Sequence, residues 1–127
     1  MLFWLSSGFI VAIGGIDGDI TCLFYLTLID CLSGILKGAK EGRIFSKNMY
    51  VGFIIRKPAI YLAVAAMAQL EQTSFMGEVP LRSSMVVGCI IMESISITEN
   101  LKQLGVWLPK VVDDILEVKR KTLDKEK

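Results

Sequence analysis

The chain contains no histidine. That excludes histidine general bases, Ser–His and Cys–His nucleophile pairs, and histidine metal sites. Cysteine is scarce: Cys22, Cys31 and Cys89 form no CxxC pair. An odd count at these spacings supplies neither a disulfide framework nor a zinc knuckle. All three lie inside apolar runs and read as small buried hydrophobes. Charge is scarce too, at 21% of residues, and Lys+Arg 14 against Asp+Glu 13 leaves only +1 net. No basic excess points to nucleic acid. Glycine-rich phosphate loops, paired-carboxylate sites and metal-ligand spacings are missing as well. The chain therefore reads as a non-enzyme that needs no cofactor.

What is present is apolar. Over 127 residues the hydrophobic share is 53%, and the mean hydropathy is +0.54. Such a chain is not disordered. It also lacks the charged coat of a small water-soluble domain. Four apolar runs follow one another, at about 2–16, 20–36, 58–76 and 80–98. Pro58 and Pro80 open the last two runs, where a missing N–H is no loss to a helix. A spanning helix needs about 20 mostly apolar residues. The expected fold is all-α: an integral membrane protein with three or four transmembrane helices in 1–100. The charged tail 101–127 is expected to form a short amphipathic helix, its acids early and its bases late. The run at 2–16 is short. It would span a thinned bilayer or pair with the second run as a shallow hairpin. It lacks the basic n-region and small-x-small cleavage site of a signal peptide.

Every Lys and Arg except Arg82 lies in 37–57 or beyond residue 101, and the two remaining connections hold none. This asymmetry predicts a cytoplasmic 37–57 loop and a cytoplasmic C-terminus. The stretch 46–57 mixes apolar and basic residues and reads as interfacial, with Arg56 and Lys57 reaching headgroups.

Two constellations stand out. Gly34, Gly38 and Gly42 recur every four residues, a spacing that lets a neighbouring backbone approach closely in lipid. Asp30 and Glu93 lie inside apolar runs. An acid at the bilayer centre costs at least about 2.5–3.5 kcal/mol, so each needs a partner, a proton or water. Glu93, Ser96 and Asn100 make one polar helix face, and Asp30, Ser33, Gly34 and Lys37 make another. Both faces suit either a water-lined path or polar packing within one bundle.

The order of features resembles the toxin-secretion and phage-lysis holin family. The resembling residues are Leu28-Ile29-Asp30-Cys31-Leu32-Ser33-Gly34, Lys40-Glu41-Gly42, Ser46-Lys47, Gly52 and the Arg56-Lys57 pair. Leu81-Arg82 follows, then Glu93-Ser94-Ile95-Ser96-Ile97-Thr98-Glu99-Asn100 and Leu104-Gly105-Val106-Trp107-Leu108-Pro109. The resemblance implies a phage or prophage protein of the bacterial cytoplasmic membrane. Its partners would be the lipid bilayer and further copies of itself. At a set time the homo-oligomer would permeabilise the membrane to an endolysin or a toxin. Composition and spacing alone also admit a non-lytic membrane scaffold, or a small ion channel or transporter subunit lined by Asp30 and Glu93.

Overall fold

A computed structural model describes residues 2–42, 51–73 and 78–125 of the chain. Among the described residues it is all-helical, with five α-helices, one π-helical turn and no strand. We label the helices α1 (Leu2–Ala12), α2 (Gly18–Lys40), α3 (Lys57–Glu71), α4 (Leu81–Gln103) and α5 (Lys110–Lys125).

Helix α1 is apolar with almost no amphipathic bias and ends at two left-handed glycines, Gly14 at φ +91 and Gly15 at φ +88. A Cβ at Gly14 would also stand 2.6 Å from Arg82 Nε. The 11 residues of α1 extend about 16 Å, well short of the roughly 30 Å hydrocarbon core. The helix expected over 2–16 is thus shorter than the apolar run that predicts it. Helix α2 starts at Asp17, whose Oδ1 accepts from the Ile20 amide at 2.9 Å. Asp19 in its first turn and Lys37 and Lys40 in its last complement the helix dipole. Ile20, Leu23, Thr27, Asp30, Ser33 and Gly38 are buried, so one face of α2 points inward.

The third apolar run is displaced from its expected limits. A π-helical turn, Val51–Arg56, leads directly into α3, and α3 ends at Glu71. Pro58 occupies the first turn of α3, where it fits. Helical structure therefore covers 51–71 rather than 58–76. Residues 43–50 and 74–77, which hold much of the expected interfacial segment and acidic connection, lie outside the described residues.

Helices α2 and α4 form the largest interface, and α3 packs against α4. Contacts at both ends of the α2–α4 pair give their relative direction. Asp17 meets Arg82 near the two N-termini, and the Lys40 ammonium donates to the Gln103 carbonyl at 2.6 Å near the two C-termini. The two helices run parallel, and α3 runs against both. An apolar core of Ile13, Ile20, Leu23, Val64, Val86 and Cys89 fills the half of the bundle nearer Arg82. Cys89 alone of the three cysteines is buried. Cys31 is half-buried and Cys22 faces outward, which corrects the expectation for both. Only α2 and α4, among the described residues, are long and apolar enough to cross a membrane. Their outward faces carry exposed Leu28, Ile29, Leu32, Leu36 and Met92.

The tail does not project away. Beyond Gly105, at φ +85, the chain turns and α5 folds back antiparallel along α4. Lys102 Nζ binds Asp113 Oδ1 at 2.6 Å near the turn. Farther along, Lys119 and Thr122 share a cavity of about 340 Å³ with Ser83, Ser84, Val87, Gly88 and Ile91.

A buried charged cluster as candidate functional site

The polar faces expected on the second and fourth apolar runs meet at mid-height of the bundle. Asp30 on α2 is 4% exposed and Glu93 on α4 is 5% exposed. Between them lies the ammonium of Lys57, from the first turn of α3. Its Nζ is 2.5 Å from Asp30 Oδ2 and 2.8 Å from both Glu93 Oε1 and Oε2. Asp30 receives two further donors on Oδ1: Ser96 Oγ at 2.7 Å and Asn100 Nδ2 at 3.1 Å. Asn100 Nδ2 also donates to Ser33 Oγ at 3.0 Å, and Ser33 Oγ donates to the Asp30 carbonyl at 3.1 Å. One layer toward the apolar core, Thr27 Oγ1 donates to the Leu23 carbonyl at 2.8 Å. Its proton is thereby committed, so the Tyr61 hydroxyl, 2.8 Å away, donates to Thr27. Among the described residues no buried side-chain nitrogen or oxygen lacks a partner.

The chemistry of this arrangement is mutual neutralisation. Three helices each contribute one charged side chain to a common point, and two neutral donors complete the coordination of Asp30. A buried ion pair holds only when its remaining hydrogen-bonding capacity is met, and here it is. Asp30, Glu93, Ser96 and Asn100, all singled out in the sequence, come together. Lys57, expected from its place beside Arg56 to reach headgroups, instead has its side chain 16% exposed and turned inward onto Asp30 and Glu93. The π-helical turn Val51–Arg56 continues the helix N-terminally from Lys57, so Lys57 lies within a helical run rather than at its edge. Arg56 is exposed. The glycines divide. Gly38 is buried and Gly34 half-buried on α2, whereas Gly42 lies beyond the helix end at φ +74, with open space where a Cβ would stand. The ladder is not continuous on one helix face.

A second polar junction was not singled out in the sequence. Arg82 Nε donates to the Ile13 carbonyl at 2.6 Å, Nη2 to the Gly15 carbonyl at 3.0 Å and Nη1 to Asp17 Oδ2 at 2.8 Å. It clamps the α1–α2 turn onto the start of α4. The Ile20 amide, and then the Arg82 guanidinium, hold the Asp17 carboxyl below its ordinary range. The available signal was that Arg82 is the one base outside the two basic blocks.

Comparison with known proteins follows the same residues. Residues 7–121 match the bacteriophage holin family. A probable holin of Bacillus phage phi105 is 32% identical over 96 residues, which is 76% of this chain and 70% of that protein. The uncharacterised protein YqxH of Bacillus subtilis (strain 168) is 32% identical over 105 residues, 83% of this chain and 71% of that one. The uncharacterised protein CPE0383 of Clostridium perfringens (strain 13 / Type A) is 28% identical over 114 residues, 90% and 84% of the two chains. No solved structure matches.

Proposed function

This chain belongs to the bacteriophage holin family, and from that premise we propose that it oligomerises in the bacterial cytoplasmic membrane and permeabilises it, releasing an endolysin or a toxin. The observation that carries this reading is the family match over 7–121, together with a phage relative named a probable holin. Membrane association follows from the family and from the two long apolar helices. The family is not one of enzymes.

The finer reading is ours. Because α2 and α4 run parallel, the segment between them returns across the bundle, which gives three crossings: α2, 51–71 and α4. Helix α1 dips into the outer half of the bilayer. Residues 37–40 belong to α2 and 51–57 to the returning crossing, so the cytoplasmic loop is 41–50 rather than 37–57, and the tail is held on the same side on insertion by its seven Lys and Arg. The Asp30–Lys57–Glu93 cluster lets each subunit enter lipid with its charges already partnered. That suits a protein which accumulates without harm before lysis. A lesion wide enough for a folded protein needs many copies, since helices pack at about 8–10 Å and a few of them enclose no such lumen.

Inducible expression in bacteria tests the reading, with membrane potential and release of a co-expressed endolysin followed over time. Abrupt loss of potential followed by endolysin release is the expected result. Ion-selective conductance with no protein release would point instead to a channel. Neither conductance nor killing would point to a scaffold.

A further inference from the structure

The position of α5 conflicts with lipid on that side of α4. Helix α5 has 16 residues and α4 has 23, about 24 Å and 34 Å at 1.5 Å per residue. The Lys102–Asp113 pair fixes the near end of α5. Lys119 and Thr122 stand beside Ser83, Ser84 and Val87, close to the opposite end of α4. The helix thus runs along most of the length of a spanning segment. Its exposed side carries charge beside the apolar Val111, Ile115 and Val118: Glu117 and Lys121, 3.4 Å apart, have side chains 65% and 72% exposed, and Asp114 and Arg120 are exposed as well.

Each such charge placed in hydrocarbon costs at least about 2.5–3.5 kcal/mol. The contact with α4 offers little against that sum, because it is loose enough to leave the cavity of about 340 Å³. Helix α5 can hold this position only where water stands beside it. The outward faces of α2 and α3, with exposed Leu28, Ile29, Leu32, Leu36 and Leu62, are apolar. The subunit therefore has a lipid side and a water side, both parallel to its spanning helices. An isolated subunit in a bilayer has no water side, whereas a ring of subunits around an aqueous lesion has one.

We infer that α5 lines the lesion: it lies in the cytoplasm in a newly inserted subunit, and folds back along α4 as water enters the assembly. Left-handed Gly105 and the non-helical 106–109 link provide the pivot. The inference rests on the holin reading and adds to it the element that faces water.

The test uses full-length protein with its three native cysteines replaced by alanine, carrying Ser84→Cys and Thr122→Cys across the cavity. A membrane-permeant, reducible bifunctional thiol reagent links the pair within one chain. In intact cells before lysis the link should not form; after the onset of lysis it should. In dye-filled vesicles, linked and reduced protein should release dye at the same rate. Full linking before lysis would overturn the inference. So would lysis or dye release without any linking, or release lost on linking and regained on reduction. If the cysteine-free parent releases no dye and kills no cells, the holin reading fails, and the inference with it; the two failures differ because the parent never meets the reagent. A second measurement needs no link. In planar bilayers, a bulky charged thiol reagent on Glu117→Cys should lower the conductance, and an unchanged conductance would overturn the inference.

Discussion

The ammonium of Lys57 has three N–H donors, and two carboxylates take all of them. Lys57→Met would leave Asp30 and Glu93 facing each other in the interior. Removing one partner of a buried ion pair costs about 3–5 kcal/mol. The variant should unfold at lower temperature in mild detergent and reach the membrane in smaller amount. Glu93→Gln is milder, because the amide oxygen still accepts from Lys57 while one hydrogen bond between charged groups, worth about 1.5–3 kcal/mol, is weakened. It should insert normally and shift the time of lysis. Unchanged timing at equal membrane abundance would mean that the Glu93 carboxylate charge has no part in triggering. Asp17 gives a pH dependence at the other junction. Its carboxyl is held low by the Ile20 amide and then by Arg82, so its contribution is complete above the ordinary carboxylate pKa. That contribution is lost only as pH falls through the lowered value. The α1–α2 turn should therefore stay protected from hydrogen exchange, in protein purified in detergent, until the medium is more acidic than the ordinary aspartate range. Loss of protection near neutral pH would show that Asp17 does not hold it.

At the scale of helices, the inward faces of α2 and α4 were legible because polar residues recur at helical spacing inside apolar runs: Asp30 with Ser33, and Glu93 with Ser96 and Asn100. Lys57 was not. A base beside a proline at the edge of an apolar run has the pattern of an interfacial anchor, and periodicity does not announce a π-helical turn. The fold-back of α5 was hidden for a similar reason, since an amphipathic charged helix fits a water surface as well as it fits α4. The glycines were legible as a spacing but not as a set, because α2 stops at Lys40. They should respond differently to substitution. Gly38→Leu puts a branched side chain into a buried position, and overpacking of this kind costs about 1–3 kcal/mol. It should lower the thermal stability of the single bundle. Gly34→Leu, at a half-buried position, should spare that stability while reducing crosslinked oligomers and delaying lysis. Gly42→Leu meets no neighbour and loses only the ease of a left-handed backbone, about 1–2 kcal/mol. Normal oligomers from Gly34→Leu would remove the α2 glycine face as an assembly surface.

At the scale of the molecule, the two ends of the bundle differ in charge. Asp17, Asp19, Glu71 and Glu78 gather at the end where α2 and α4 begin, whereas Lys37, Lys40 and Lys102 mark the end where they finish. Among the bases of α1 to α4, Arg82 is the one at the acidic end, and it is spent on Asp17 and on the carbonyls of Ile13 and Gly15. It therefore offers no free positive charge to hold that end in the cytoplasm. The basic end should face the cytoplasm. Parallel α2 and α4 then place both of their C-termini on that side, which is also where the tail emerges before it folds back. Single cysteines at Asp19, Ile44 and Lys125, in a background lacking the native three, distinguish the orientations. In intact cells before lysis, an impermeant thiol reagent should label Asp19→Cys and leave Ile44→Cys and Lys125→Cys untouched. After the cells are opened, all three should react. Labelling of Ile44→Cys in intact cells, with Asp19→Cys protected, would invert the bundle in the membrane. Labelling of both Asp19→Cys and Lys125→Cys before lysis would keep the bundle's orientation but place the tail across the membrane from the start. In that case α5 would not enter from the cytoplasm, and the water beside it would have to exist before the lesion does.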